Sequence, residues 1–178
     1  MKLGLLSLAV VSTLAMSSSV FAETVTGGKV YFKGSLTNAA CAVSNDTAGQ
    51  PVTLGEYRTA ELKAIDEKTT PIPFSIKLVD CDNATLKTAA VAFEGARVTD
   101  TLLSVSSAGG NGTAATNVGI EISDSASNIL KLDGTGFSTA KTLNNGDNEL
   151  NFTARYVATG QSTAGRADAE ATFYIKYE

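Results

Sequence analysis

The clearest pattern in this chain is the alternation of apolar and polar side chains over its last ten residues. Small or apolar side chains, with one tyrosine, occupy every second position: Ala169, Ala171, Phe173, Ile175 and Tyr177. The positions between them are mostly charged or polar. A repeat of two is typical of a β-strand with one buried face. Because chain ends fray unless something holds them, we expect this strand to lie in a sheet or to receive a partner strand.

The same repeat of two recurs along the chain, and turn residues such as Asn145-Gly146 separate the runs. Strict alternation would put Cys81 on the wrong face of its strand, so we expect a bend or bulge near Asp80. The charged segment 59–68 has no apolar stripe, which favours a turn or loop over a helix. Many short strands without intervening helices predict an all-β chain, and a β-sandwich in particular. The other alternating runs are 30–36, 52–54, 74–79, 91–93, 103–105, 118–122 and 150–156.

Residues 1–22 have the pattern of a secretory signal peptide. Lys2 precedes the apolar run 3–11, and Val20-Phe21-Ala22 resembles a small-x-small cleavage site. The apolar run is too short for a membrane anchor and polar residues interrupt it. We therefore expect an exported chain whose remaining residues, 23–178, form one domain.

Charge and cysteine content narrow the function classes. Residues 23–178 hold 13 basic and 18 acidic residues, a net charge of −5, which argues against nucleic acid as a partner. Cys41 and Cys81 are the two cysteines of the chain. In an exported chain a single disulfide is the natural interpretation, with two free thiols as the alternative.

The sequence offers little chemistry for catalysis. It contains no histidine, which excludes Ser-His-Asp and Cys-His nucleophile systems and His-ligated zinc. The segment Ser138-Thr139-Ala140-Lys141 has the S-x-x-K spacing, but the other motifs of such enzymes are missing and no helix is predicted there. We expect no enzyme, cofactor, metal or small-molecule substrate.

A series of motifs resembles the major subunits of type 1 fimbriae, which the chaperone–usher pathway assembles. The resemblance begins with Gly27-Gly28-Lys29-Val30-Tyr31-Phe32-Lys33-Gly34 and Asn38-Ala39-Ala40-Cys41, and it ends with the alternating tail and the penultimate Tyr177. Matching blocks occur in order along residues 23–178, and the segments 57–68 and 103–114 are less alike. Further matches are 79–82, 89–93, 116–120, 142–146, 152–156 and 171–173.

The resemblance implies an immunoglobulin-like β-sandwich that lacks its last strand. A donor strand from a neighbouring subunit would complete the sheet, since residues 23–36 would form an N-terminal extension and residues 37–178 the pilin domain. Carried over by motif, the donor residues are Thr26, Gly28, Val30 and Phe32. The groove strand and chaperone-recognition residues are Gly165, Ala171, Phe173, Ile175 and Tyr177. Basic side chains of the chaperone would hold the carboxylate of Glu178, and the disulfide would join Cys41 to Cys81.

The expected partners follow from the same resemblance: identical subunits, a periplasmic chaperone, an outer-membrane usher, minor pilins and a tip adhesin. The chain would pass through the periplasm to a fimbria on the cell surface and support adhesion. The alternatives are a minor pilin or adaptor, a glycan-binding adhesin subunit of the same fibre, and a self-complete periplasmic enzyme. An adhesin with an additional lectin domain would need a longer chain.

Overall fold

The computed structural model describes residues 26–32, 34, 39–107 and 112–178. The predicted signal peptide at residues 1–22 lies outside this part of the chain. The chain divides into two units, Met1–Leu36 and Thr37–Glu178. Among the described residues, no helix is long and apolar enough to cross a membrane.

The first unit is described only in part. Its residues 26–32 and 34 are exposed and form neither a helix nor a strand. The alternating run predicted at 30–36 therefore has no strand in its described positions, since none of them is paired with another strand.

The second unit is built from β-strands, with one short 3-10 helix at Thr59–Glu61. The all-β class is confirmed, and the segment 59–68 contains only this short turn of helix, as the missing apolar stripe indicated. The strands are β1 (Ala42–Val43), β2 (Ile72–Cys81), β3 (Thr88–Gly95), β4 (Arg97–Thr99), β5 (Leu102–Ser104), β6 (Val118–Asp124), β7 (Lys141–Thr142), β8 (Gly146–Ala158) and β9 (Ala171–Tyr177).

The strands form two sheets, and every pairing between these named strands is antiparallel. One sheet has the order β1-β2-β8-β6-β5-β4, and the other has the order β7-β3-β9. Side chains from both sheets meet in the core, as in the cluster of Phe74, Phe93 and Phe152 with ring centroids 5.2–6.0 Å apart. Leu78 and Val91 are completely buried there. Two packed sheets around one apolar core make a β-sandwich.

The bulge expected near Asp80 is present. The register of β2 against β8 shifts between Leu78 and Cys81, and Asp80 has a φ of 53°. The extra residue returns Cys81 to the inner face, where it is buried. Cys81 forms a disulfide with Cys41, so the predicted pairing is confirmed.

The run 52–54 does not form the short strand that its pattern predicted. Val52 and Leu54 alternate as expected and are half-buried, but no strand is assigned between residues 44 and 58. The segment instead follows the edge of β2 through side chains: Gln50 Nε2 donates to the Ser75 carbonyl oxygen at 2.8 Å, and Thr47 Oγ1 accepts from the Lys77 N–H at 3.0 Å. Because the contacts run through side chains, the backbone forms no ladder there.

Candidate functional site

Strand β9 is an edge strand. Within the described residues it pairs only with β3, and Phe173 lies opposite Phe93. Thr88 and Glu178 exchange two backbone hydrogen bonds, of 2.8 and 3.1 Å, and so fix the alternation of the ladder. In an antiparallel pair, every second residue directs its N–H and C=O away from its neighbour. The backbone groups of Phe173, and of Ala171, Ile175 and Tyr177 likewise, therefore face away from β3.

An open groove of about 590 Å³ runs beside this edge. One side is formed by Ala171 and Phe173 of β9 with residues 167–169, and the other by residues 47–56. Its volume lies within the range of roughly 300–1,000 Å³ that is usual for ligand-binding clefts. Its apolar lining comes from both sheets: Phe74, Ile76, Phe93, Leu103, Ile120, Ile122, Ala154 and Phe173. The core of the sandwich is thus open along one side.

The inner face of β9 is only half covered. Ala171, Phe173, Ile175 and Tyr177 pack against the core, yet each keeps an intermediate exposure. Val91, which lies opposite Ile175 on β3, is completely buried. Each Å² of apolar surface removed from water contributes about 25 cal/mol. An apolar segment laid in the groove would gain from covering these side chains.

The far end of β9 approaches the residue just before β1. The Tyr177 hydroxyl donates a long hydrogen bond of 3.4 Å to the carbonyl oxygen of Cys41. Burial raises the pKa of Tyr177. This contact joins the predicted groove strand to the segment that the disulfide holds.

Gly165 precedes β9 and lies close to the segment 113–115. A Cβ at this position would lie 2.5 Å from the Ala115 nitrogen and 2.6 Å from the Ala114 carbonyl carbon. Because these neighbours are backbone atoms, a Cβ at position 165 would force one of the two segments to move, and glycine avoids this. Backbone hydrogen bonds continue the contact, because Asp168 exchanges two with Ser106, at 2.7 and 3.1 Å. The structure therefore gives Gly165 a packing role, and its part in chaperone recognition stays a prediction.

The predicted donor residues lie in the first unit, and all four are exposed. Val30 is 78% exposed and Phe32 is 93% exposed, which is unusual for large apolar side chains. Gly28 has a φ of +137°, a conformation that favours glycine, and Thr26 is also exposed. Whether these side chains enter a groove stays a prediction.

The charged residues that line the groove are both acidic, Glu56 and Asp168. Asp168 accepts from Arg166 Nη2 at 2.7 Å. The Tyr156 hydroxyl, which also lines the groove, donates to the Ala167 carbonyl oxygen at 3.0 Å. Burial raises the pKa of Tyr156, and the charge of Asp168 adds to the effect. These contacts fix the segment 166–168 at the side of the groove. The polar groups involved lie at that side, and the core residues that line the groove are apolar.

The segment with S-x-x-K spacing has a structural role. Ser138 Oγ accepts from the Val91 N–H at 3.0 Å and donates to the Thr139 carbonyl oxygen at 3.3 Å, while Lys141 Nζ donates to the Glu149 carbonyl oxygen. The serine and the lysine therefore bind other groups. In the described part of the chain, no three Cys, Asp or Glu side chains form a cluster that could hold a metal ion.

Sequence reasoning missed the second wall of the groove. Val52 and Leu54 line it, together with the polar residues around them, but this segment has no strand and only a short alternating run. The half-burial of both side chains is visible only in the fold. The weak alternation at 52–54 was the one available signal.

These features define a class of protein: a β-sandwich subunit with an exposed strand edge and an open core, suited to pairing with another chain. Residues 30–178 match the family model described as "Fimbrial protein". The chain belongs to the fimbrial protein family.

Relatives of known class cover nearly the whole chain. "Fimbrial subunit type 1" of Salmonella typhimurium is 51% identical over 175 residues, which cover 97% of this chain and 94% of the relative. "Type-1 fimbrial protein, A chain" of Escherichia coli K12 is 45% identical over 185 residues, with both chains fully covered. These relatives are fimbrial subunits, and the chain is not an enzyme.

Solved structures support the same class. A chain from the solved structure of a chaperone–usher pilus superposes with a TM-score of 0.70 at 26% identity, covering 88% of this chain and all of the other. The P pilus rod subunit PapA gives a TM-score of 0.64 at 26% identity, with 79% of this chain and all of PapA covered. The chain is a fimbrial subunit of the chaperone–usher type, with the incomplete immunoglobulin-like fold of that class.

Proposed function

We propose that this chain is the major structural subunit of a bacterial surface fimbria and that it polymerises head-to-tail by donor-strand exchange. In this proposal, residues 23–36 of one subunit lie in the groove of the next. The observation that carries it is the second edge of β9, which no other described strand covers, beside an open apolar groove. A strand laid there would pair with the backbone groups that face away from β3, and its alternate side chains would cover the core.

The chemistry of the N-terminal segment fits this groove. Val30 and Phe32 are large, apolar and exposed, and burying such side chains contributes about 1.5–3 kcal/mol each. Gly28 has no side chain, which suits a close approach of the two backbones. Because each subunit offers one donor segment and one groove, the contact is heterologous and can continue without closing.

The need for a chaperone follows from the same groove, and the other partners follow from the resemblance to type 1 fimbrial subunits. A long unpaired edge with apolar side chains invites aggregation, so the subunit needs protection before assembly. A periplasmic chaperone would occupy the groove first, an outer-membrane usher would direct the exchange, and minor pilins with a tip adhesin would complete the fibre. The fibre would then support adhesion at the cell surface.

The test compares two aromatic neighbours in the donor segment. Phe32→Asp should abolish fibre formation, because a charged side chain cannot enter the apolar groove, and should leave the chaperone complex intact. Tyr31→Asp is the matched control, since Tyr31 is 78% exposed and falls on the opposite face of the alternation. The readouts are fibre yield and co-purification with the chaperone. Wild-type yield from Phe32→Asp would refute the donor assignment.

A second measurement isolates the groove. In the Phe32→Asp chain, which cannot donate, a peptide of residues 23–36 should raise the guanidinium midpoint of unfolding. A midpoint that the peptide does not change would mean that the sandwich is already complete. The abundance of the chain in isolated fibres separates a major subunit from a minor one.

A further inference from the structure

The outer face of β9 carries a charge pattern that limits how another strand can lie beside it. The Tyr174 hydroxyl donates to Glu94 Oε2 at 2.7 Å, and the tyrosine is 45% exposed. Two residues further, Lys176 Nζ lies 5.1 Å from the centre of the Phe137 ring and 2.9 Å from Glu178 Oε1. The face therefore offers an acidic and aromatic position at residue 174 and a cation at residue 176.

The donor segment carries a cation on its corresponding face. If Thr26, Gly28, Val30 and Phe32 face the groove, then Lys29 and Tyr31 face outward. Lys29 and Tyr31 are both exposed. In a filled groove, Lys29 would lie on the same outer surface as Tyr174 and Lys176 of the neighbouring subunit.

The sandwich favours one direction for the incoming strand. Every pairing between the named strands of both sheets is antiparallel, and antiparallel ladders are slightly more stable per residue. An antiparallel donor can shift along β9 only in steps of two residues, because a shift of one would turn Val30 and Phe32 out of the groove. The outward-facing charges can then make one of a few registers more stable than the others.

We propose that Lys29 sets the register by lying directly opposite Tyr174, next to Glu94. This inference rests on the proposed donor-strand exchange. In this register residues 26–32 cover the whole of Ala171–Tyr177, with Tyr31 opposite Thr172. The ammonium group gains from the ring of Tyr174 and from the carboxylate that this hydroxyl binds.

The two neighbouring registers are less favourable. A shift of two residues toward the end of β9 places Lys29 opposite Lys176, and like charges directly opposite each other are destabilising. A shift of two residues the other way places Lys29 opposite Thr172, beside Glu94 but no longer beside the Tyr174 ring, and it moves Phe32 past the first residue of β9 to a position opposite Ala169.

Cysteine cross-linking between subunits tests the register directly. One subunit carries Tyr31→Cys, and its neighbour carries Thr172→Cys. Thr172 directs its own backbone hydrogen bonds toward β3, so it would face the donor in a non-hydrogen-bonded pair with Cα atoms about 4.5 Å apart. That distance lies within the range for a disulfide. Cys41 and Cys81 are joined and buried and do not interfere.

The same Tyr31→Cys subunit is also combined with Glu170→Cys or Tyr174→Cys, which report the two shifted registers. We expect the Thr172 pair to give most of the cross-linked dimer, and the Glu170 and Tyr174 pairs to give little or none. A dominant Glu170 or Tyr174 pair, or fibres without a cross-link in any pair, would overturn the register and leave donor-strand exchange standing. If the wild-type chain forms no fibres and does not respond to the peptide, the proposed function itself fails.

Charge exchange provides a second readout. Lys29→Glu should slow assembly by about fivefold, the upper range for one cross-strand charge pair, and Lys29→Gln should slow it less. Adding Glu94→Lys to the acceptor should restore the rate of the Lys29→Glu donor. An assembly rate that is unchanged in Lys29→Glu, or not restored by the exchange, would contradict the role of Lys29.

Discussion

Strands β3 and β9 lie side by side in one sheet, yet they differ in how their edges are used. β3 pairs with β9 on one side, and on the other the Ser138 N–H donates to the Val91 carbonyl oxygen at 2.8 Å. β9 has β3 alone among the described strands. Val91 is completely buried, whereas Ile175 opposite it is half-buried. The comparison shows that Ile175, on the strand with the uncovered second edge, keeps an exposure that its neighbour Val91 does not have.

The largest effect should come from the two phenylalanines that face each other across this pair. Phe93 is 4% exposed and contacts Phe74 and Phe152, so Phe93→Ala should lower the free energy of unfolding by about 3–5 kcal/mol. We expect this loss with or without the donor peptide. Phe173→Ala, in the half-covered strand, should lower the free energy of unfolding by less than Phe93→Ala does when the peptide is absent. This loss should become larger when the peptide is bound.

Guanidinium unfolding of the Phe32→Asp chain, with and without the peptide of residues 23–36, measures both effects. Phe93→Ala serves as the control for Phe173→Ala, because both remove the same side chain. Equal losses of unfolding free energy for the two variants, with and without the peptide, would contradict the claim that β9 is less well covered than β3.

The disulfide should have the next largest effect, because it joins the residue just before β1 to the end of β2. Replacing Cys41 and Cys81 together by Ala should lower the free energy of unfolding by about 4 kcal/mol, the chain-entropy value for their separation of 40 residues. Periplasmic yield should fall with it. Comparison with the reduced wild-type chain separates the loss of the bond from the loss of the sulfur atoms. Unchanged stability in the double variant would show that the link between β1 and β2 needs no covalent support.

The difference between β3 and β9 was only partly predictable from the sequence. Alternation identified β9 because its two faces lie in different environments, one half-covered and one exposed. In β3, Ala90 and Ala92 are buried as firmly as Val91 and Phe93, so the repeat of two is weaker there. The bulge at Asp80 was predictable because Cys81 broke a regular pattern.

The second groove wall was not predictable in the same way. Residues 47–56 are held by the side chains of Thr47 and Gln50 rather than by a backbone ladder, and side-chain contacts of this kind leave no periodic signal. Gly165 was singled out through family resemblance alone, since its close approach to Ala114 and Ala115 depends on two segments that are distant in sequence.

A smaller effect is expected from Gly165→Ala, which disturbs the lead-in to β9. The added Cβ would meet backbone atoms 2.5 and 2.6 Å away, so one of the two segments must move, at a cost of up to about 3 kcal/mol. Gly160→Ala is the matched control, because its nearest neighbour is a side-chain atom at 3.4 Å. Guanidinium unfolding checks stability, and peptide binding shows whether β9 has shifted. Similar stability for the two variants would contradict the packing role.

The smallest effect concerns Ser138 and Thr139, the segment that covers the second edge of β3 at Val91. Asp124 Oδ2 accepts from the N–H and the hydroxyl of Thr139, at 2.9 and 2.8 Å, next to Ser138, which pairs with Val91. Burial alone would raise the pKa of Asp124, but hydrogen bonds from Thr139 and Asn128 outweigh it and lower the pKa to about 2. Protonating this carboxyl should therefore loosen the covered edge of β3 and make β3 resemble β9.

The sign of the pH effect follows from that lowered pKa. An unfolded Asp has a pKa of about 3.9, so the folded chain gains about 2 kcal/mol from Asp124 at neutral pH. This contribution is complete above about pH 4 and is lost as the pH falls toward about 2. Asp124→Asn should be less stable than wild type by this amount at pH 7, and the difference should shrink toward zero near pH 2. Asp147→Asn, at an exposed position of β8, is the matched control, since it makes the same substitution away from the edge of β3, and guanidinium unfolding across this pH range compares the two variants. A constant difference between Asp124→Asn and wild type would mean that the carboxylate charge does not hold the second edge of β3.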